Sequence, residues 1–293
     1  MSAQSICKIL ITGATGNIGR ELTGYLASNN IPFRAMVRSL GTAGELANMK
    51  DAELVTGDFN NPASLEKAIS GMEHAFLLTN SSELAAQQQN NFVEAAGKTG
   101  LRHIVKLSQW AADIHSPVRF LRYHAEVEST IKSSGISHTF LRPNLFMQGL
   151  LGFRETMMKQ GKFFGAIADA KVSMVDTRDI ALAAALSLTN PGHENKTYNL
   201  TGPQALSHDE MAEKLSNALG RTIRFIDVPP HTLLEMLLSA GFSIWQAEGL
   251  VEDYAHYARG EAAEVSSDFY NVTARNPTDF ESFVRDFAPA FMG

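Results

Sequence analysis

The chain has 293 residues, and its 44% of hydrophobic and 19% of charged residues are typical of a globular protein with a sizeable core. The net charge of −6 argues against non-specific nucleic-acid binding, and the single cysteine, Cys7, excludes an internal disulfide. Residues 1–5 are polar and the apolar stretch 180–188 is too short to cross a bilayer. We therefore expect no signal peptide, no membrane span and a cytoplasmic protein.

A glycine-rich turn joins the first predicted strand to the first predicted helix. The apolar run 9–11 leads into the sequence TGATGNIG at 12–19, and Cys7, in the same predicted strand, is expected as a small core residue. Gly13 and Gly16 allow the backbone to turn and approach a pyrophosphate, and Gly19 allows the helix to lie close on the strand. The predicted cofactor-binding residues here are Gly13, Thr15, Gly16, Asn17, Ile18 and Gly19.

Strands and helices alternate through the rest of the first half. Strands are predicted at 33–37, 53–55, 74–78, 104–107 and 138–141, and helices at 62–71, 83–98 and 119–134. This alternation predicts an α/β fold with a doubly wound, parallel Rossmann sheet and helices on both faces.

The second half is predicted to form a smaller, mostly helical domain. Short strands are predicted at 172–175, 197–200 and 222–226, and helices at 180–188, after Ser207 and over 229–260. Ser207 and Glu210 have the spacing of a capping box. We assign 1–148 and a returning segment at about 172–200 to an NAD(P)-binding Rossmann domain. Residues 149–171 and 201–293 are assigned to a domain that covers the substrate.

The end of the second predicted strand indicates which dinucleotide is bound. An NAD site usually has a carboxylate there for the ribose 2′-hydroxyl, whereas this chain has Arg38, whose guanidinium suits a 2′-phosphate. NADP(H) is therefore preferred over NAD(H), and Arg34 is expected to face the other way. Further predicted cofactor contacts follow the third, fourth and sixth strands, at Asp58, Phe59, Leu77, Leu78, Thr79, Asn144 and Phe146.

A set of motifs runs along nearly the whole chain. It comprises TGATGNIG at 12–19, Val37-Arg38, Gly57-Asp58-Phe59, His124-x-x-x-Glu128, TFLRPN at 139–144, Asp176-x-x-Asp179-Ile-Ala and YNLTGP at 198–203. With these motifs the chain resembles the NmrA-like family of atypical short-chain dehydrogenases/reductases, and within it the bacterial NADPH-dependent quinone oxidoreductases and triphenylmethane reductases. The resemblance implies a Rossmann domain, NADP(H) binding and a small C-terminal domain. It leaves activity open, since some members are redox-sensing regulators.

The Tyr-x-x-x-Lys pair of typical short-chain dehydrogenases is missing. The helix that should carry it reads Phe120-x-x-x-His124, with Tyr123 three positions after Phe120, while Ser108 matches the usual serine position. Without the tyrosine, alcohol oxidation or sugar epimerisation lacks its proton-transfer group. A quinone or another conjugated acceptor needs little acid help, so hydride delivery to such an acceptor is the preferred function. His124 and Ser108 are the candidate catalytic residues.

Two other functions stay open. The chain is alternatively a non-catalytic NADP(H)-binding redox sensor with a protein partner, or, less favoured, a nucleotide-sugar epimerase. The expected partner is a small aromatic or quinone-like substrate, with Met236, Phe242 and Trp245 as candidate pocket residues. No metal site, direct nucleic-acid contact or membrane contact is expected, and a homo-oligomer stays open.

Overall fold

The computed structural model describes residues 8–292, so Cys7 lies outside the described residues. The chain divides into two compact units, each built from three segments. Unit 1 comprises Met1–Ile114, Tyr123–Arg142 and Ile180–Tyr198, and unit 2 comprises His115–Arg122, Pro143–Asp179 and Asn199–Gly293. Residues 115–122, 143–148 and 172–179 thus lie in unit 2, whereas the sequence analysis grouped them with the nucleotide-binding domain.

A parallel sheet organises unit 1. Its strands are β1 (Ile9–Ile11), β2 (Phe33–Val37), β3 (Ala52–Thr56), β4 (His74–Leu77), β5 (His103–Leu107), β6 (Ser137–Pro143) and, numbered after a strand of unit 2, β8 (Lys196–Leu200). In the described part of the chain the order is β3-β2-β1-β4-β5-β6-β8, and β1 to β6 pair in parallel. The predicted doubly wound Rossmann fold is confirmed, and the chain crosses over at β1, between β2 and β4.

Helices connect the strands as the alternation predicts. They are α1 (Asn17–Ser28), α2 (Pro62–Ile69), α3 (Ala85–Thr99), α4 (Arg119–Ser133) and, in the returning segment, α6 (Thr177–Thr189). Gly100 ends α3 with a φ of 76°, in the left-handed conformation that favours glycine. Apolar faces of α2, α3 and α4 bury Leu65, Phe92 and Val127 against Leu10 and Phe140 of the sheet. This core fixes the strand ends from which the candidate site is built.

Unit 2 has its own core and a two-stranded parallel sheet. The strands are β7 (Lys162–Gly165) and β9 (Arg224–Asp227). The helices are α5 (Arg154–Gln160), α7 (His208–Leu219), α8 (Pro230–Ser239), α9 (Ile244–Ala258), α10 (Asp268–Thr273) and α11 (Phe280–Met292). Phe163, Phe225 and Phe283 are among the buried core residues. The predicted capping box of Ser207 and Glu210 is confirmed at the start of α7.

One strand predicted for the second half was wrong. Residues 172–175 form no strand, because Val172 bridges Leu206 in antiparallel fashion while Val175 bridges Phe146 in parallel, so no continuous ladder is built. The helical pattern predicted over 229–260 corresponds to the two helices α8 and α9, with Gly241 at a φ of 89° in the turn between them. The sequence analysis also did not predict β7, α5, α10 or α11. Across residues 8–292, no helix has the length and apolar content that a membrane crossing requires.

Candidate cofactor and active site

The glycine turn brings the start of α1 against the end of β1. Gly13 has a φ of 62°, and a Cβ on it would lie 2.9 Å from Leu78 Cγ. A Cβ on Gly19 would lie 2.1 Å from the carbonyl oxygen of Gly13, so the first turn of α1 lies directly on the backbone of the loop. The N–H of Gly16 donates to the same oxygen at 3.0 Å. Only glycine at position 19 permits this close approach.

The amino terminus of α1 is open and suited to an anion. Gly16 is the N-cap residue, no side chain caps it, and the first turn holds no acidic residue. Thr15, Gly16 and Asn17 are exposed, whereas Ile18 and Gly19 are buried, so any contact from the latter two comes through their backbone. Helix geometry leaves the N–H groups of the first turn without intrahelical acceptors and adds a partial positive charge. These residues therefore fit the diphosphate of a dinucleotide.

A buried threonine ties this loop to the neighbouring strand. Thr12 Oγ1 donates to the carbonyl of Phe76 at 2.9 Å and accepts from the N–H of Leu78 at 2.9 Å. Leu78 is half-buried beside the glycine turn, whereas the side chain of Leu77 is fully buried in the core. Leu78 is therefore a neighbour of the predicted phosphate site, while Leu77 offers a ligand only its backbone.

The two arginines of the second strand have different environments. Arg34 Nη1 donates to the carbonyls of Ala68 and Ser70 at 2.9 and 2.8 Å, and its Nη2 pairs with Glu53 at 3.0 Å. Arg38, directly after β2, is exposed, and no carboxylate among the described residues pairs with it. Its guanidinium remains available at the strand end next to β1, where a 2′-phosphate is expected.

The loops after β3 and β4 are held by amide side chains of α3. Asn91 Nδ2 donates to the carbonyl of Phe59 at 2.9 Å, and Gln89 Nε2 donates to Thr79 Oγ1 at 2.9 Å. Asp58 is exposed and accepts the N–H of Asn60, two residues on, which closes a local turn. The sequence analysis missed these α3 residues, although the run of five amides at 87–91 was a visible signal.

An aromatic contact supports the loop after β3. Phe59 is half-buried and its ring lies 6.1 Å from that of Phe92, centroid to centroid, at the edge of the unit 1 core. The ring is therefore held in place while part of it stays accessible.

Both candidate catalytic residues belong to a buried polar cluster, which we call the β5–α4 cluster. It consists of Lys106, Ser108, His124, Glu128 and Arg142. Ser108 Oγ donates to Glu128 Oε1 at 2.6 Å, and Arg142 Nε donates to the same oxygen at 2.9 Å. Ser108 and His124 thus share one cluster. In it, Ser108 forms a hydrogen bond with the carboxylate of Glu128, and the cluster contains no tyrosine.

Lys106 is a member of this cluster that the sequence analysis missed. Its side chain is fully buried, and its Nζ donates to the carbonyl of Leu107 at 2.9 Å and lies 2.7 Å from His124 Nδ1. Burial lowers the pKa of Lys106 to about 7. Burial, and then the positive charges of Lys106 and Arg142, hold the pKa of His124 well below its usual range. The available signal was a lysine next to the apolar residues of the strand sequence HIVKL.

The residues at and beside the missing tyrosine have different surroundings. Phe120 in unit 2 packs on α9, with its ring 5.2 Å from that of Trp245 and against Gly249. Tyr123 in unit 1 has its hydroxyl 3.1 Å from Ser81 Oγ, and its ring lies 4.1 Å from that of His124. The helix therefore uses the tyrosine position for packing and places a phenol three residues later, next to His124.

The predicted residues of unit 2 contact other residues of the same unit. Asn144 is buried, and its Nδ2 donates to Ser173 Oγ and to the carbonyl of Ala262, each at 2.9 Å. Phe146 is half-buried and pairs with Val175. Among the three candidate pocket residues, Phe242 is 41% exposed, while Met236 and Trp245 are half-buried. No group of three or more metal-binding side chains occurs among the described residues.

Comparisons with known proteins agree with this arrangement. A family model described as the NmrA-like family matches residues 6–284. The NAD(P)H azoreductase of Xenophilus azovorans is 34% identical over 283 residues, which cover 97% of this chain and 99% of that protein.

Two solved structures also match this chain over nearly its whole length. The Citrobacter sp. triphenylmethane reductase complexed with NADP(H) is 30% identical with a TM-score of 0.86, and the Escherichia coli quinone oxidoreductase QOR2 complexed with NADPH is 27% identical with a TM-score of 0.87. Each comparison covers 95% of this chain and 99% of the other. With its glycine turn, its sheet order and these matches, the chain belongs to the NmrA-like family.

Proposed function

We propose that this protein is an NADPH-dependent oxidoreductase that delivers a hydride to a quinone-like or similarly conjugated acceptor. The observation that carries the proposal is the uncapped, acid-free start of α1, on a turn that only glycine at position 19 permits. The azoreductase, quinone oxidoreductase and triphenylmethane reductase names of its relatives support the choice of reaction class.

The cofactor is assigned to the carboxyl edge of the unit 1 sheet. The backbone of 15–19 would hold the diphosphate and Arg38 the 2′-phosphate. Phe59 and Thr79, which α3 side chains position, are the proposed contacts toward the adenine and the nicotinamide ribose. Bound NADPH supplies the hydride, and the protein orients the cofactor and the acceptor.

The acceptor class follows from what replaces the usual tyrosine. Phe120 has no proton to transfer, and its ring is packed on Trp245 and Gly249. A conjugated acceptor spreads the charge that it gains, so it depends less on a strong acid than a ketone does. Azo, quinone and triphenylmethane compounds, named for three relatives, share such conjugation. Met236, Phe242 and Trp245 are proposed as acceptor contacts.

A cofactor-dependent redox sensor is the second candidate, favoured by the same packed Phe120. It requires NADPH binding without turnover. The cytoplasmic location, the covering role of residues 149–171 and 201–293, a protein partner and a homo-oligomer stay predictions.

Turnover with a panel of acceptors separates the two candidates. Purified protein is mixed with NADPH and, in turn, a quinone, an azo dye and a triphenylmethane dye, and the absorbance of NADPH is followed against samples without acceptor. We expect acceptor-dependent NADPH consumption. Tight binding with no consumption across the panel would support the sensor instead, and absence of binding would overturn both.

A further inference from the structure

The β5–α4 cluster contains a lysine that the proposed hydride transfer has not used. Lys106 lies two residues before Ser108, so both side chains leave β5 on the same face, toward α4. On α4, His124 and Glu128 are four residues apart and share a helix face. The pairings Lys106–His124 and Ser108–Glu128 follow from these two periodicities.

The hydrogen bond of Lys106 decides which nitrogen of His124 carries the proton. An ammonium group can only donate, so at 2.7 Å from Lys106 Nζ the Nδ1 of His124 has to accept. The proton of the neutral ring is then on Nε2. A charged imidazolium would direct a second positive N–H at the ammonium, which the buried site disfavours.

The remaining charges around the pair leave Lys106 without a carboxylate of its own. Glu128 is the one carboxylate of the cluster, and it accepts from both Ser108 and Arg142. Its charge favours the ammonium form of Lys106, while that of Arg142 opposes it. The ring of Tyr123 lies against that of His124 at an interplanar angle of 33° and adds no formal charge. The hydrogen bond between Lys106 and His124 is therefore the contact through which Lys106 can pass a proton within the cluster.

We propose that Lys106 is a positioning residue that keeps His124 as a neutral Nε2–H donor and replaces the proton that His124 gives to the reduced acceptor. This assignment rests on the proposed function. Its step balances in atoms and charge. As hydride reaches one nitrogen of an azo group, the other takes the proton of His124 Nε2, while a proton passes from Lys106 Nζ to Nδ1. The azo compound becomes a hydrazo compound, and His124 stays neutral with its proton now on Nδ1. Nε2 then takes a proton from water while Nδ1 returns its proton to the amine of Lys106, which restores the starting state.

Nitrogen NMR of the wild-type protein tests the tautomer without any turnover. Histidine ring resonances are recorded between about pH 5 and pH 8, and His124 is assigned from the signal missing in His124→Gln. We expect the Nε2–H tautomer below about pH 7, where Lys106 is an ammonium, and a lysine Nζ signal that titrates near pH 7, where the pKa of Lys106 lies. An Nδ1–H tautomer, or ordinary titration of His124 near its usual pKa, would overturn the proposal.

Lys106→Met tests the kinetic role, because methionine fills a buried site of similar length without donating a hydrogen bond. Exposed Lys67→Met on α2 is the matched control. With an azo acceptor we expect the kcat of Lys106→Met to fall about 100-fold. The fall in kcat above about pH 7, expected for the wild type and the control, should disappear, and the pKa of His124 should rise.

The outcomes for this proposal and for the proposed function are distinguishable. If Lys106→Met keeps both the azo kcat and its pH dependence, Lys106 does not serve the proton step. If Lys106→Met does not fold, the wild-type lysine and histidine titrations decide the proposal alone. If no acceptor oxidises NADPH, the proposed function fails, while the NMR spectra still decide the proton position on His124.

Discussion

At the scale of single residues, Arg34 and Arg38 lie four positions apart in the sequence but differ in burial. Arg34 is engaged by two carbonyls and by Glu53, so its charge is used inside unit 1. Arg38 is exposed at the end of the same strand and pairs with no carboxylate in the described part of the chain. That residue 38 meets the cofactor stays a prediction, and the exposed guanidinium is accessible to a ligand.

Arg38→Gln is expected to weaken NADPH binding about tenfold or more, because a charged hydrogen bond contributes about 1.5–3 kcal/mol. NADH has no 2′-phosphate, so its affinity should change little. The measurement is the dissociation constant of each nucleotide from fluorescence titration, with exposed Lys162→Gln of β7 as the control. An equal loss for both nucleotides would show that Arg38 does not select the phosphate.

Gly19→Ala and Gly24→Ala form a matched pair on α1. A Cβ at position 19 would collide with the backbone of Gly13, whereas a Cβ at position 24 meets nothing within 4 Å. We expect Gly19→Ala to lose NADPH binding and to lower the unfolding temperature. Gly24→Ala should bind normally and gain up to about 1 kcal/mol of stability, since alanine is the better helix former. Equal behaviour of the two variants would contradict the assigned loop geometry.

At the scale of elements, the sequence predicted what periodicity and glycine determine locally. The alternating strands and helices of the first half, the turn at 12–19 and the capping box at Ser207 were all visible in the chain. Residues 172–175 bridge two separate partners, which tertiary contacts determine and local sequence does not. The contact of Lys106 with His124 joins a strand to a helix and could not be predicted from either alone.

The amides of α3 yield a prediction at this scale. Asn91 ties the helix to the carbonyl of Phe59, so Asn91→Leu should release the loop after β3 and weaken NADPH binding several-fold. Gln87→Leu, at an exposed position of the same helix, is the control. Calorimetric titration of both variants gives the comparison. Unchanged affinity in Asn91→Leu would mean that this loop does not contact the cofactor.

At the scale of the whole molecule, stability is expected to fall in acid because of buried histidines. His208 is buried among Phe163, Phe225 and Tyr254, and its Nδ1 has no hydrogen-bond partner among residues 8–292. Burial lowers its pKa to about 4 from an unfolded value near 6.5. The unfolded state therefore binds the proton first, so this contribution is complete above about pH 6.5 and is lost as the pH falls toward 4.

His208→Phe should reduce this acid sensitivity, because phenylalanine suits the aromatic surroundings and does not titrate. At about pH 5 the histidine costs the native state roughly 2 kcal/mol relative to neutral pH. Urea unfolding of both proteins at the two pH values measures the difference. A variant that loses as much stability in acid as the wild type would show that other groups govern the transition.

The central claim for the molecule as a whole is that the first βα turn binds the diphosphate of a dinucleotide and that Arg38 selects the phosphorylated form. Isothermal titration calorimetry of the unmodified protein with NADPH, and separately with NADH, tests it most directly. The account predicts heat of binding for both, with the tighter association for NADPH. No heat with either nucleotide, or a preference for NADH, would contradict it.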